Sequence, residues 1–378
     1  MRVSIVTMME SVGVQKALSF LFMAVAGRAV KSRFTPPQVL GVQKLILDVM
    51  LPCVVFQSLC SIELSMALIK WPLMGACFVV WQLVVMGAVS SACFPGPALA
   101  TPRRTAAFQL ATFGPGLSAI VFIKEFVGPE AAGLASLFDL PSKAYVIFVL
   151  PALLEWAGRS KGSTTRSSAA LVKDAAPCGA FAKTCSLLQD PLNFAIAAGL
   201  LMAATRTPLA SLSFVGRGVT ALSGAQSPVL FVLIGMKLKT GGATPAACVS
   251  LLLARLTSSY CFFAVTRFAV PSLTTPEAMT LLLSVQAACS VVGWSQMSKA
   301  SAQGAQGFAL DLAFDIVGFS LPLAMVIQTA VCLVPPEQAI QAPPYMTVPA
   351  AALGLLLFAT VKTALRDPES WKPPKCKV

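Results

Sequence analysis

The chain has 378 residues, 56% of them hydrophobic and only 11% charged, with a mean hydropathy of +0.79. A water-soluble domain needs roughly a quarter of its residues charged, so this composition excludes one and makes lipid the solvent of the fold. The net charge of +13 sits in short connections between apolar stretches, as in cytoplasmic loops, and does not form a nucleic-acid-binding stripe.

Apolar stretches near the ~20 residues that cross a bilayer fall at 5–27, 40–60, 70–93, 105–126, 132–156, 190–205, 219–238, 245–267, 275–298, 307–333 and 348–365. The N-terminal stretch lacks the short apolar core and small-residue cleavage site of a signal peptide and reads as a first span, interrupted by Glu10, Gln15 and Lys16. The sixth, from Pro191 to Thr205, is the shortest. The connection 157–189 is rich in Ser, Lys and Arg and reads as a solvated cytosolic linker between two halves.

Orientation follows from the basic residues. With the N-terminus outside, the connections and tail on one side hold nineteen Lys and Arg, including Arg28, Arg103, Arg159, Lys237 and Lys375. The other side holds six: Arg2, Lys70, Lys124, Arg206, Arg217 and Arg267. This asymmetry predicts a cytosolic linker and C-terminus. The expected setting is the plasma membrane or the endoplasmic reticulum, which the family resemblance given below permits alike.

One offset recurs along the chain. Pro52 and Pro228, the Phe-Asp pairs ending at Asp139 and Asp315, Gly128 and Gly304, and Leu134 and Leu310 are each 176 positions apart. Each half holds five spans, and an odd number inverts the second copy relative to the first. The expected fold is therefore an all-α polytopic membrane protein of two inverted five-helix repeats with crossed broken helices, a common transporter plan. The repeats occupy 1–156 and 190–333, the linker 157–189, and an extra helix with a basic cytosolic tail 334–378.

The fourth span carries Gly114-Pro115-Gly116 near its middle. Proline removes a backbone donor and glycine permits unwinding, and unwound backbone is tolerated only in the protein interior or beside a watery cavity. The offset places its counterpart at Ser290–Gly293 in the ninth span. Two breaks crossing at mid-membrane would present half-helix N-termini suited to an anion; a kinked packing helix is the plainer alternative. The candidate substrate-binding residues are Gln109, Thr112, Gly114, Pro115, Gly116 and Ser118 in one half, with Gln286, Ser290, Gly293 and Gln296 in the other. Each polar side chain taken alone reads equally as an interhelical hydrogen bond.

Charges within spans are costly and so informative. Asp139 and Lys143 share a helical face at i,i+4, as a coupling pair or a structural one. Asp311 precedes Asp315 by one turn, an arrangement that would suit proton coupling. Asp48 faces a cavity or an interface. Arg255 reads as a counter-charge for an anion, a snorkelling side chain or a partner for a carboxylate.

Histidine is absent, which removes His-based triads and the usual neutral-pH proton shuttle. No CxxC pair occurs, and the eleven cysteines lie mostly in apolar spans as small hydrophobes. Cys178 and Cys185 share the cytosolic linker and are expected to be free thiols.

The stretch from Gly27 through Leu59, with Leu51-Pro52 and Phe56 in a Leu-Pro-x-x-x-Phe pattern, resembles the auxin efflux carrier family. So do the fourth span with its following Gly133-x-Ala135-x-x-x-Asp139, the Asp190-Pro191 start of the sixth span, and Pro228 leading to Gly235-x-x-Leu238 in the seventh. The resemblance covers roughly residues 10–333. It implies ten core helices, a scaffold domain and a transport domain, a crossover site, and elevator-like export of organic anions. The chain departs from the family at Pro115, where an Asn is usual, at Ser290, where a Pro is usual, and in lacking the long cytosolic loop of the plant PIN members.

The function expected is a secondary carrier of a small organic anion, auxin-like or a carboxylate. The alternatives are a sodium-coupled symporter of the bile-acid type and a non-transporting membrane receptor or scaffold on the same fold. An enzyme is not expected, because no metal-ligand spacing or nucleophile motif occurs. Expected partners are the lipid bilayer and the organic anion, with proton or sodium coupling and a homodimeric assembly left open; no cofactor, metal or nucleic acid is expected.

Overall fold

The computed structural model describes residues 12–62, 65–96, 99–114, 119–159, 191–237, 245–302 and 308–341. Among them every regular element is helical. Helix α1 spans Val12–Val30. Helix α2, Pro36–Leu45, continues through a widened π turn, Ile46–Met50, into α3, Leu51–Cys60, and α4 spans Lys70–Cys93. Helix α5, Ala100–Ala111, precedes the short α6, Ala119–Phe122, and a π turn at Ile123–Val127. Helix α7, Pro129–Ala144, passes through a π turn at Tyr145–Val149 into α8, Leu150–Arg159. The remaining helices are α9 Pro191–Ala204, α10 Ser213–Lys237, α11 Pro245–Ala269 and α12 Thr275–Val285. They are followed by α13 Val291–Ala302, α14 Leu310–Cys332 and α15 Pro336–Gln341.

Local chemistry accounts for several boundaries. Helices α2 and α12 each start on a reciprocal capping box with proline in the first turn, an arrangement that satisfies free N–H groups at a helix start. The Thr35 N–H donates to Gln38 Oε1 at 2.8 Å, and the Thr274 N–H to Glu277 Oε2 at 2.9 Å. The π turn at Ile123–Val127 closes its helix, with the Gly128 N–H donating to the Ile123 carbonyl at 2.9 Å, whereas the other two lie in continuing helices and end two residues before a proline: Met50 before Pro52 and Val149 before Pro151. A proline ring crowds the carbonyl four residues back and offers it no donor, and one wider turn relieves the conflict. At Gly128 the backbone adopts φ +134°, a conformation that glycine alone takes without strain.

Among the described residues four helices are long and apolar enough to cross a membrane: Pro37–Cys60, Met66–Cys93, Cys248–Ala269 and Leu310–Cys332. A fifth is added if Pro191–Ala204 and Leu209–Leu233, bent by 114° at their junction, count as one span. Arg206, with φ +51°, lies in the break, and Ser213, also at φ +51°, follows the short turn Leu209–Leu212. Helix α9 alone, with 14 residues, is about 21 Å long, short of the ~30 Å hydrocarbon core. The expected fourth and ninth spans are each interrupted in the middle. The expected span 348–365, and nearly all of the linker 157–189, lie outside the described residues.

The chain forms two compact units that interleave its sequence. The first takes Met1–Trp71, Ile120–Leu137 and Glu155–Leu238; the second takes Pro72–Ala119, Phe138–Leu154 and Lys239–Val378. Both sequence halves therefore contribute to both units.

In the first unit, α1 packs along α10 and α3 along α9. The contacts use small residues, which let backbones approach closely within a membrane. A Cβ on Gly27 would collide with the Val232 carbonyl, one on Gly235 with the Ala24 carbonyl, and one on Gly199 would lie 2.8 Å from Leu59 Cβ. Phe20 stacks on Phe231 at 4.0 Å and meets Phe122 edge-on at 5.5 Å. The Lys124 ammonium donates to Ser223 Oγ at 2.7 Å and to its carbonyl at 3.1 Å.

In the second unit, α4 meets α11 through polar contacts. Trp81 Nε1 donates to Ser258 Oγ at 2.9 Å, and Gln82 Nε2 to Ser259 Oγ at 3.0 Å. Phe78, Phe113, Phe138 and Phe262 form one aromatic cluster, with Phe78 and Phe113 centroids 4.9 Å apart. Every residue of α12 from Ala278 to Val285 is buried. A helix buried on all sides belongs in the interior of its unit, and its two polar residues in this stretch, Thr280 and Ser284, are buried with it.

Candidate functional site

Helix α5 stops at Ala111, and Thr112 turns the chain to an extended conformation, φ −79° and ψ +144°. The Thr112 hydroxyl donates back to the Gln109 carbonyl at 2.7 Å and so satisfies one of the orphan acceptors of the helix end. Helix α12 stops at Val285, and 286–290 run without regular structure before α13 begins. Both breaks belong to the second unit.

The two breaks bond to each other. The Gly114 N–H donates to the Ala288 carbonyl at 3.0 Å. The Ser290 N–H donates to Thr112 Oγ1 at 3.2 Å. One bond thus runs in each direction between the breaks, Gly114 to Ala288 and Ser290 to Thr112, and each pair maps onto the other by the 176 offset. A Cβ on Gly114 would lie 3.6 Å from Ser290 Cα, so two residues at the same position in the offset touch. Gln109 Nε2 adds a bond to the Ser290 carbonyl at 2.9 Å.

Neighbouring helices fix the breaks. The Ser142 hydroxyl of α7 donates to the Phe113 carbonyl at 2.9 Å, and the Cys289 N–H donates to Ser320 Oγ of α14 at 3.0 Å. Phe113 and Cys289 are again 176 apart, so each break is held at the same point by a serine from the next long helix in the chain, α7 for the first and α14 for the second. Gly293 is pressed against the first break: a Cβ there would lie 2.8 Å from Thr112 Cγ2 and 3.4 Å from Gln109 Oε1.

Arg255 of α11 is 1% exposed. Its Nε donates to the Leu110 carbonyl at 2.9 Å, Nη1 to the Ala287 carbonyl at 2.8 Å and Nη2 to the Thr112 carbonyl at 3.3 Å. One guanidinium thereby holds the carbonyl ends of both broken helices. Of the roles the sequence leaves open for it, snorkelling is excluded by this burial, and no carboxylate pairs with it among the described residues.

Gln109, Thr112, Gly114, Ser290 and Gly293 therefore form one cluster. Gln286 is buried in the second break, with neither carboxamide atom in a well-aligned hydrogen bond. The Gln286 side chain faces the Tyr260 hydroxyl, whereas Gln109 Oε1 and Trp294 Nε1 are buried without a hydrogen-bond partner. Gln296 stands half-buried farther along α13 and takes part in none of these bonds. Pro115, Gly116 and Ser118 lie outside the described residues.

Among the charged candidates, Asp139 is 4% exposed and pairs with Lys143 at 3.3 Å across one turn of α7, while its Oδ1 has no partner. Asp311 is exposed in the first turn of α14, and Asp315 is half-buried one turn on. Asp48 is exposed.

The sequence reading did not single out Ser142, Ser320 or Trp294. The offset sets Ser142 against Gly318, two residues from Ser320, and was the one signal that pointed near that pair. Trp294 carried no signal beyond its place after Gly293. No protein-family model and no curated protein matches the sequence.

Proposed function

We propose that the chain is a secondary carrier of a small organic anion, auxin-like or a simple carboxylate, with its solute site at the paired helix breaks. The observation that carries this reading is the mutual bonding of the breaks at Gly114 and Ser290. Unwound backbone inside an apolar protein costs several kcal/mol per unsatisfied group, and a chain that needed only packing would have kept both helices intact.

The two-repeat plan is supported by packing in the first unit. In the offset, spans one and two correspond to spans six and seven. The α1–α10 contact joins spans one and seven, and the α3–α9 contact joins spans six and two. These are images of each other under a two-fold relation between halves. The first unit gathers spans one, two, six and seven, and the second gathers three, eight, nine and ten, with four and five divided. That division suits a scaffold and a moving element.

The anion preference rests on the donor left open beside the breaks, Trp294 Nε1, and on the N-terminus of α13, where a half-helix presents partial positive charge. The positive-inside asymmetry of the connections supports a cytosolic linker and C-terminus.

The test is solid-supported-membrane current from the purified protein in proteoliposomes, using indole-3-acetate and a panel of small carboxylates with and without sodium and pH gradients. Saturable current without sodium is expected. Current only with sodium would favour a symporter. Binding without current, from folded protein, would favour a receptor and overturn the carrier reading.

A further inference from the structure

Arg255 lies within an apolar helix of membrane-spanning length, Cys248–Ala269, and its ligands are all backbone carbonyls. Leu110 and Thr112 stand at the C-terminal end of α5, and Ala287 at that of α12. The last carbonyls of a helix lack intrahelical donors and carry the negative end of its dipole. Two such ends converge here with the unwound backbone that follows them. In carriers with broken helices, unwound carbonyls and half-helix C-termini are the groups that coordinate a coupling Na+ or H+.

We propose that Arg255 is a tethered cation occupying the place of a mobile coupling cation, so that the crossed breaks assemble and work without sodium. A guanidinium is a permanent cation with a planar fork of donors. Here it takes three carbonyls at 2.8–3.3 Å from two helix ends at once. A mobile cation at the same carbonyls would compete for the same lone pairs and be repelled by the fixed charge. The structural part of this proposal stands by itself; its consequence for flux rests on the carrier reading.

The experiment is thermal unfolding of the purified full-length protein by intrinsic tryptophan fluorescence, at equal ionic strength in sodium, potassium or choline chloride. The proteins are the wild type, Arg255→Lys, which keeps the charge, and Arg255→Gln, which keeps donors without it. Wild type is expected to unfold at the same temperature in all three salts. Arg255→Lys should stay closer to wild type than Arg255→Gln does. Arg255→Gln should recover in millimolar sodium, potassium or added guanidinium, but not in choline. A wild type that needs sodium for its stability would overturn the proposal. So would an Arg255→Gln protein more stable than Arg255→Lys, or one that no small cation restores. If Arg255→Gln does not fold, the salt series on wild type and a folded Arg255→Lys indifferent to added cations decide the matter. Flux of wild type, equal in sodium and choline, is measured separately: absence of flux counts against the carrier and leaves the thermal result standing.

Discussion

Gly114 and Ser290 are 176 residues apart, yet a Cβ on the first would lie 3.7 Å from Cβ of the second. They stand at the same place in the two halves of the chain, and the bonds between Gly114 and Ala288 and between Ser290 and Thr112 bracket them. The meeting of two interrupted helices at matching positions is what any account of this protein has to explain.

The glycines at the breaks differ in what they tolerate. A Cβ on Gly114 meets Ser290 atoms only at 3.6–3.8 Å, ordinary contact, whereas one on Gly293 meets Thr112 Cγ2 at 2.8 Å. Gly114→Ala is therefore expected to fold and to keep most of its flux. Gly293→Ala should overpack the cluster at a cost of about 1–3 kcal/mol and reduce flux by about tenfold or more. Currents from both variants, normalised to folded protein, check the contrast. Equal effects would contradict it.

The bonds between α4 and α11 are a second target. Gln82 Nε2 and Ser259 Oγ are both buried and bonded at 3.0 Å. A double-mutant cycle of Gln82→Leu and Ser259→Ala should return a coupling of about 0.6 kcal/mol and no more than about 1.7 kcal/mol, the average and maximum for interhelical hydrogen bonds in a membrane protein. Thermal unfolding of the four proteins gives this value, and a coupling of zero would remove the bond from the account.

The ion pair on α7 makes a different claim. Asp139 is buried beside Lys143, with one oxygen unpartnered. Lys143→Met strands that carboxylate and should destabilise by about 3 kcal/mol. Adding Asp139→Asn to it should restore much of the loss, because an uncompensated buried charge is the main cost. A double variant less stable than Lys143→Met alone would contradict this.

Close backbone approach in the first unit is tested at Gly235. A Cβ there collides with the Ala24 carbonyl on α1, and the collision is with backbone, which cannot rotate away. Gly235→Val should lower the unfolding temperature clearly, whereas Gly218→Val, where nothing lies within 4 Å of the added Cβ, should change it little. Similar shifts for both would show that α1 and α10 do not pack as described.

Much of this was legible in the sequence because it is written in prolines, glycines and the offset. Gly114-Pro115-Gly116 marks the first break by composition. The second has no proline and is visible only through the 176 shift. Pro52 and Pro151 each carry the π turn that precedes them, although no single residue type announces a π turn. The partners of Arg255 were hidden for a simple reason: they are carbonyls of Leu110, Thr112 and Ala287, and a carbonyl leaves no trace in a sequence. The interleaving of the two units was hidden as well. Apolar periodicity says which stretches are helical but not which of them share a unit when all are apolar.

The central claim, that the breaks meet at Gly114 and Ser290, is tested most directly by a cross-link. A Cβ separation of 3.7 Å matches the roughly 3.8 Å of a disulfide. Gly114→Cys with Ser290→Cys, oxidised mildly in membranes and digested, should yield the linked 114–290 peptide as the main new species by mass spectrometry. Absence of that peptide, from folded protein whose two single variants each react with a thiol reagent, would contradict the claim.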